Sequence, residues 1–173
     1  MKEKVLLVDQ KDQILGKMEK IEAHEKGLLH RAFSVFVYND KNELLLQKRA
    51  LSKYHTPGLW TNTCCSHQRE NESNIEAGKR RLQEEMGFKT ELKDQFSFIY
   101  KAPFSNGLTE HEYDHILIGY FNGEPDPNPH EVADWKWMSL DAIEKDIYKN
   151  PDHYTAWFRI LLEKYLEKLR TNQ

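Results

Sequence analysis

The folds open to this chain are limited most by residues 57–88, whose sequence is PGLWTNTCCSHQRENESNIEAGKRRLQEEMGF. Cys65 and His67 are two residues apart, so their side chains leave an extended backbone on the same face. A thiol beside a potential metal ligand is chemically usable, and structural needs alone rarely select that pair. The segment therefore predicts a functional site directly before a charged helix.

The charged helix is predicted over residues 75–86. Ser73 or Asn74 can cap its first turn, and Gly87 suits a left-handed stop after its last turn. Two oppositely charged pairs lie four residues apart and share a face: Arg80 with Glu84, and Arg81 with Glu85. Solvated ion pairs are the commoner meaning of such a pattern. From the helix alone, that interpretation is favoured.

The end of this helix, RRLQEEMGF, resembles the helix of the Nudix superfamily, whose signature is G-x5-E-x7-R-E-U-x-E-E-x-G-U with U apolar. Residues that match the signature are Glu72, Arg80, Leu82, Glu84, Glu85, Gly87 and Phe88. Ser66 stands in place of the first glycine, and Arg81 stands in place of a glutamate that Nudix hydrolases use for metal and water. The segment T-N-x-x-C-x-H before a degenerate Nudix helix is instead similar to type I isopentenyl-diphosphate isomerases.

Length and composition exclude several classes of protein. At 173 residues the chain suits a single domain, predicted over residues 1–173. A net charge of −3 without a basic block argues against nucleic acid as a partner. The start, MKEKVLLVDQKDQ, lacks the apolar run of a signal peptide, and no stretch approaches a membrane span. The two cysteines are adjacent, which predicts reduced thiols and a cytoplasmic location.

Apolar and β-branched runs separated by turn residues predict a mixed sheet with helices packed against it. The predicted strands are residues 4–8, 14–19, 33–38, 43–48, 96–102, 110–121 and 135–138, and the later helices are residues 141–148 and 152–170. Residues 89–95 are polar and are predicted at most as an edge strand. The fold class is α+β or α/β, and the resemblance implies the α/β/α sandwich of Nudix proteins.

Two carboxylates mark the strand predicted over residues 110–121. Glu110 and Glu112 are at i and i+2, so both point to one face and His111 points to the other. Two neighbouring like charges are unfavourable unless something cationic lies between them or solvent screens them. Either a cation site or an exposed pair is therefore consistent with the pattern.

Basic residues precede the Cys65 region. Arg49 and Lys53 lie in the segment QKRALSKYHTPGLWTN, with Lys48 before them. Ordinary solubilising charge is one interpretation, and a cationic lip that grips a diphosphate is the other. The isomerase family has the same R-A-x-x-K pattern, which favours the second interpretation.

The resemblance to the isomerase family implies a complete site. Its implied metal ligands are His24, His30, His67, Glu110 and Glu112, which would hold one divalent transition ion, zinc or manganese. Its implied catalytic residues are Cys65, Glu112 and Tyr100, with Cys65 as a thiolate near cationic groups. Implied substrate-binding residues are Lys20, Arg49, Lys53, Arg81 and Trp157, and Glu85 would bind magnesium with the substrate diphosphate.

The resemblance also implies the reaction. Moving a double bond by one carbon through a tertiary cation needs a proton added at one carbon and another removed from its neighbour. We expect Glu112 to protonate the alkene and Cys65 to take the second proton. Trp157 fits two roles equally: a π face for the cation, or one more core residue of an amphipathic helix.

Two rival functions remain open at this level. A Nudix hydrolase of a nucleoside or prenyl diphosphate would use Glu84 and Glu85 for magnesium and leave the cysteines idle. Arg81 and the additional His/Glu set argue against it. A non-catalytic metal-binding Nudix-like protein would have no need of Cys65 together with Glu112. The expected partner is a small isoprenoid diphosphate, and the pattern leaves the oligomeric state open.

Overall fold

A computed structural model of the chain describes residues 2–170. Residues 1 and 171–173, which the predicted domain includes, lie outside the described residues. The strands are β1 Lys4–Val8, β2 Ile14–Glu19, β3 His30–Tyr38, β4 Glu43–Arg49, β5 Trp60–Thr61, β6 Cys64–Ser66, β7 Leu92–Pro103, β8 Thr109–Tyr120 and β9 Val132–Ser139. The α-helices are α1 Lys20–Lys26, α2 Asn74–Met86, α3 Leu140–Lys149 and α4 Ala156–Arg170, with a short 3-10 helix at Pro151–His153.

Strand β3 is the centre of the sheet. It runs antiparallel to β1, β4 and β6, and it runs parallel to β8 from the pair His30 and Glu112 to the pair Tyr38 and Tyr120. Strand β7 continues the sheet beyond β8, and β9 pairs with β4. The predicted mixed sheet is therefore confirmed, with its parallel pair joining segments far apart in the chain.

The side chains of β3 alternate between two apolar cores. Phe36 and Tyr38 pack on one face with residues of α3 and α4, including Phe158. Phe33 and Val35 pack on the other face with residues of α2. Burying each large apolar side chain contributes roughly 1.5–3 kcal/mol. Helices on both faces of the sheet form the α/β/α layers that the resemblance implies.

Helix α2 has the ends that its sequence predicts. The Ser73 hydroxyl accepts a hydrogen bond from the Glu76 N–H at 3.2 Å, and the Glu76 carboxylate accepts from the Ser73 N–H at 2.8 Å. This capping box satisfies backbone groups that the first turn would otherwise leave unpaired. Gly87 ends the helix with φ 75°, in the left-handed region.

Several boundaries differ from the prediction, and the two largest differences are the starts of the last helix and of β7. The last helix does not begin at residue 152, because Tyr154 forms a parallel bridge with Trp60 and the Thr155 N–H donates to the Trp60 carbonyl at 3.0 Å. These long-range contacts hold the backbone extended until α4 starts at Ala156. Strand β7 begins at Leu92, ahead of the predicted residue 96, because its pairing with β8 extends to Gly119 across a bulge.

Gly87→Ala should destabilise the protein far more than Gly107→Ala. Both glycines have positive φ, at 75° and 83°, so each alanine is expected to cost about 1–2 kcal/mol in backbone strain. A Cβ at Gly87 would also overlap the carbonyl oxygen of Asp126, whereas a Cβ at Gly107 meets no atom within 4 Å. Urea denaturation should give a loss of about 3 kcal/mol or more only for Gly87→Ala. Equal losses would contradict the overlap.

Candidate active site

A cleft of about 740 Å³ lies beside the starts of β3 and β8. Most of the residues that the sequence predicts for the site line it: Lys20, Arg49, Lys53, Cys65, His67, Arg81, Glu85, Tyr100, Glu110, Glu112 and Trp157. They come from α1, β4, β6, α2, β7, β8 and α4 and from the loops between them. The fold thus brings together side chains that are more than a hundred residues apart.

A buried cluster of metal-ligating side chains lies in this cleft region. His24, His30, His67 and Glu112 each offer a ligand atom, and these atoms all lie within 4.8 Å of one another. The parallel pairing of β3 with β8 places His30 directly beside Glu112. Helix α1 supplies His24, and the residue just after β6 is His67. Four of the five predicted ligands therefore converge.

The hydrogen bonds of two of these histidines suit a metal ligand. Nδ1 of His24 lies 2.7 Å from the Lys20 carbonyl, and Nδ1 of His30 lies 2.9 Å from the Leu28 carbonyl. A carbonyl only accepts, so Nδ1 carries the proton and Nε2 keeps a free lone pair. Nε2 of His30 is buried without a hydrogen-bond partner in the described part of the chain. Such an orphaned acceptor is what a bound cation would satisfy.

Distances around Glu112 also fit a shared ion. Its Oε1 lies 3.2 Å from Nε2 of His67 and 3.5 Å from Nε2 of His30. Two ligands of one ion, each bound at about 2.1 Å, are separated by roughly 3.0–3.4 Å. The donor set of imidazole nitrogens and a carboxylate oxygen suits zinc or manganese.

Burial and mutual contacts set the protonation of the cluster. Burial lowers the pKa of His67 to about 4, and it lowers the pKa of His24 as well. Although burial opposes it, the neighbouring imidazoles of His30 and His67 hold the pKa of Glu112 well below its usual range. Burial lowers the pKa of His30, but the nearby Glu112 carboxylate outweighs burial and raises it. A divalent cation would compete with a proton for the Nε2 lone pair of His30.

Glu110 lies beside the four-residue cluster rather than within it. Its Oε2 lies 2.8 Å from the Tyr100 hydroxyl, and its Oε1 lies 3.1 Å from Nε2 of His55. The Tyr100 hydroxyl also donates to Glu112 at 2.7 Å. Both carboxylates are less than 10% exposed, so the alternative of solvent screening is wrong. Burial and the Glu112 charge raise the pKa of Glu110, which reduces the repulsion between the two groups.

The two cysteines point to opposite sides of the sheet. Cys64 is fully buried in the core on the α2 face, whereas Cys65 is half-buried, lines the cleft and pairs with Ser34 of β3. Burial raises the pKa of the Cys65 thiol well above its usual value, although Arg49 opposes the shift. Burial therefore outweighs the nearby cation and favours the thiol form, and the thiolate expected from the resemblance stays a prediction.

Each predicted cation of the cleft has a carboxylate or imidazole partner. Lys20 contacts Glu3 at 3.1 Å, and Lys53 pairs with Glu131. Arg49 donates through Nη2 to Nδ1 of His55 at 3.0 Å. These partners keep the cationic groups ordered in the cleft, where an anionic substrate could replace carboxylates as the partner.

The helix pattern alone suggested that both ion pairs of α2 are solvated. In the structure, one of them is not. Arg81 reaches Glu84 at 2.6 Å and also contacts Glu85, which is only 5% exposed. Glu85 accepts a further hydrogen bond from Gln47 at 2.7 Å. The Arg81–Glu85 pair therefore faces the cleft, because α2 packs this side of the helix against the sheet.

Trp157 belongs to both the core and the cleft. It is 4% exposed, packs with Phe158 in the core on the α4 face and lines the cavity. Its indole N–H donates to Asn62 at 3.3 Å, and the Arg49 guanidinium lies 5.4 Å from its ring. The two roles considered for this residue are thus compatible.

Residues of the site that were not predicted from the sequence include Glu3, His55, Asn62 and Glu131. His55 contacts Glu110, and Glu131 pairs with Lys53 and Arg81. Only Asn62 carried a signal, as part of the T-N-x-x-C-x-H segment. The others lie in loops or at a terminus, where the spacing of residues indicates no shared face.

The chain is similar to a family model and to curated proteins that point to the same family. A model of the NUDIX domain matches residues 28–158. The chain is 47% identical over 166 residues to an isopentenyl-diphosphate Delta-isomerase 2 of Aromatoleum aromaticum, across 96% of this chain and 88% of that protein. An isopentenyl-diphosphate Delta-isomerase 2 of Photorhabdus laumondii is 51% identical over 162 residues, across 94% of this chain and 92% of that protein.

A solved structure supports the fold. A Deinococcus radiodurans protein superposes with a TM-score of 0.76 at 18% identity, over 94% of this chain and 99% of that one. At that identity the likeness concerns the fold alone.

Within residues 2–170, no helix has the length and apolar character needed to cross a membrane.

Proposed function

Because this chain belongs to the isopentenyl-diphosphate Delta-isomerase family of NUDIX-domain proteins, we propose that it converts isopentenyl diphosphate to dimethylallyl diphosphate. One observation carries the proposal to this site. Cys65 and Glu112, two groups able to exchange protons, line the same cleft as the cationic side chains of Arg49 and Lys53. A diphosphate bound by these cations would hold its five-carbon chain in the cleft that contains the thiol and the carboxylate.

The proposed reaction moves the double bond by two proton transfers. A proton adds to the terminal methylene carbon, which leaves a tertiary cation, and a proton then leaves the neighbouring methylene on the diphosphate side. One of Cys65 and Glu112 delivers the first proton, and the other takes the second. Tyr100 donates to Glu112 at 2.7 Å and so orients its carboxylate toward the cleft. Substrate and product are isomers, so no other reactant is needed.

Trp157 is the aromatic residue proposed to protect the cation. It lines the cleft, and its π system would stabilise positive charge nearby. A cation exposed to water would be trapped as an alcohol, so exclusion of water favours the second proton transfer. The Asn62 contact to the indole N–H holds the ring in place.

The proposed cofactors are held by this chain's own side chains. His24, His30, His67 and Glu112 would hold zinc or manganese, with Glu110 as the fifth proposed ligand. When bound, the ion would supply positive charge beside the Glu112 carboxylate. Glu85, which lines the cleft, would bind the magnesium that accompanies the substrate. Two free thiols are consistent with the proposed cytoplasmic location.

Incubation of the metal-loaded protein with isopentenyl diphosphate in deuterated water tests the function. We expect dimethylallyl diphosphate with deuterium in its methyl group and no release of phosphate. Release of phosphate without deuterated isomer would replace the proposal with a hydrolase. That rival is disfavoured by Arg81, which stands where hydrolases carry a carboxylate.

Arg49→Ala is expected to raise KM roughly tenfold to a hundredfold, because a hydrogen bond to a charged group contributes about 1.5–3 kcal/mol. Its effect on kcat should be no larger, since the diphosphate is bound in both the ground state and the transition state. Steady-state kinetics measure both constants. Lys48→Ala is the matched control, because Lys48 precedes Arg49 on β4 but does not line the cleft. An unchanged KM for Arg49→Ala would remove Arg49 from the proposed site.

A further inference from the structure

His55 forms part of the cleft wall between β4 and β5. Its ring stacks on Tyr54 with centroids 4.3 Å apart, and it lies 5.8 Å from the Phe104 ring and 6.0 Å from the Trp157 ring. The side chain is 10% exposed. By position alone, His55 could be one more member of an aromatic wall.

Both ring nitrogens of His55 are engaged by residues of the site. Nδ1 lies 3.0 Å from Nη2 of Arg49, and Nε2 lies 3.1 Å from Oε1 of Glu110. A guanidinium only donates hydrogen bonds, so Nδ1 must accept. A neutral imidazole then carries its proton on Nε2 and donates it to the Glu110 carboxylate. One tautomer satisfies both contacts: the ring accepts from Arg49 at Nδ1 and donates to Glu110 from Nε2.

Hydrogen bonds through His55 link Arg49 to the proposed metal ligands. Arg49 gains a second anchor from the His55 carbonyl oxygen, 3.3 Å from its Nη2, while its Nε has no hydrogen-bond partner in the described structure. On the other side, Glu110 continues through the Tyr100 hydroxyl to Glu112. A chain of hydrogen bonds therefore runs from the proposed diphosphate grip to the metal cluster.

We propose that His55 is a positioning residue that holds the Arg49 guanidinium and the Glu110 carboxylate in place at the same time. It acts through its two neighbours and takes no part in proton transfer. The inference rests on the proposed function for the meaning of the Arg49 end. Fixing an arginine that would otherwise sample several rotamers lowers the entropic cost of binding an anion. Fixing Glu110, the fifth proposed metal ligand, strengthens metal binding.

Two substitutions separate bridging from packing. His55→Phe keeps an aromatic ring against Tyr54 and loses both hydrogen bonds. His55→Gln loses the ring but keeps one donor and one acceptor, so it can still bridge Arg49 and Glu110. If the two hydrogen bonds matter, His55→Gln preserves zinc affinity and KM better than His55→Phe. If aromatic packing matters, His55→Phe preserves them better.

Zinc affinity is measured by competition with a chelator, and KM and kcat are measured with isopentenyl diphosphate. Thermal unfolding of each variant checks that it is folded. For His55→Phe we expect zinc affinity to fall about tenfold and KM to rise about tenfold, with a smaller change in kcat. For His55→Gln we expect both values within about threefold of the unchanged protein. The inference would be overturned if His55→Phe kept the zinc affinity and KM of the unchanged protein while His55→Gln did not. Equal values for the two variants would overturn it as well.

The zinc measurement does not depend on turnover. If the unchanged protein binds zinc but isomerises nothing, the proposed function fails and the ranking of the two variants by zinc affinity still decides the role of His55. If the protein isomerises and both variants retain zinc and KM, only the bridge is wrong.

Discussion

Cys65→Ala should abolish isomerisation, and Cys64→Ala should leave most of it. Cys65 lines the same cleft as Glu110 and Glu112 of β8, and loss of a proton-transfer group commonly lowers a rate by about 10²–10⁴-fold. The neighbouring thiol cannot substitute, because successive residues of β6 point to opposite faces of the sheet. Conversion of isopentenyl diphosphate, followed by the ratio of the two isomers, measures the loss.

Cys64→Ala is the matched control for that experiment. Cys64 is fully buried and packs with Leu82 and Met86 beneath α2. Its loss leaves a small cavity, so we expect about 1 kcal/mol of destabilisation and near-normal turnover. Full activity in Cys65→Ala would refute the proposed proton transfer, and inactivity of a folded Cys64→Ala protein would refute the assignment of the two thiols.

Local features were predictable where neighbouring residues decide the structure. Helix α2 follows from a cap at Ser73 or Asn74 and the left-handed stop at Gly87, both visible in the sequence, and the structure shows that Ser73 is the cap. The opposite orientation of Cys64 and Cys65 follows from the alternation of a strand. In each case the deciding atoms lie within a few residues of each other.

Features set by distant segments were beyond local reasoning. The start of α4 at Ala156 depends on contacts of Tyr154 and Thr155 with Trp60, nearly a hundred residues earlier. The protonation of Cys65 depends on burial, which spacing does not report. His55 offered no pattern at all, since its two partners are on β4 and β8.

The site itself was predicted through family resemblance more than through physics. No periodicity links His24, His30 and His67, and only the sheet and the packing of α1 bring them together. Glu110 and Glu112 were predicted to share a face from alternation alone, and that prediction is confirmed, since both line the cleft. The Tyr100 hydroxyl lies within hydrogen-bond distance of both carboxylates, 2.8 Å from Glu110 and 2.7 Å from Glu112.

Glu112→Gln should remove both turnover and tight metal binding. The carboxylate has one oxygen near Nε2 of His30 and His67 and the other bonded to Tyr100 at 2.7 Å. An amide keeps the volume, but its NH₂ group must face either the Tyr100 hydroxyl or the metal position, and it carries no charge. We expect a rate loss of about 10²–10⁴-fold or more and zinc affinity lowered at least about tenfold.

Asp114→Asn provides the control on the same face of the same strand. Asp114 is buried two residues beyond Glu112 and accepts a hydrogen bond from Ser34 at 2.8 Å, while its Oδ1 has no hydrogen-bond partner among the described residues. An asparagine can keep the Ser34 bond, so we expect zinc content and turnover within about threefold of the unchanged protein. Elemental analysis and deuterium incorporation measure both variants. A Glu112→Gln protein that keeps its metal and still places deuterium in the product would mean that another group transfers the proton. Equal losses in both variants would mean that any buried carboxylate on this face is needed, and the specific role of Glu112 would fall.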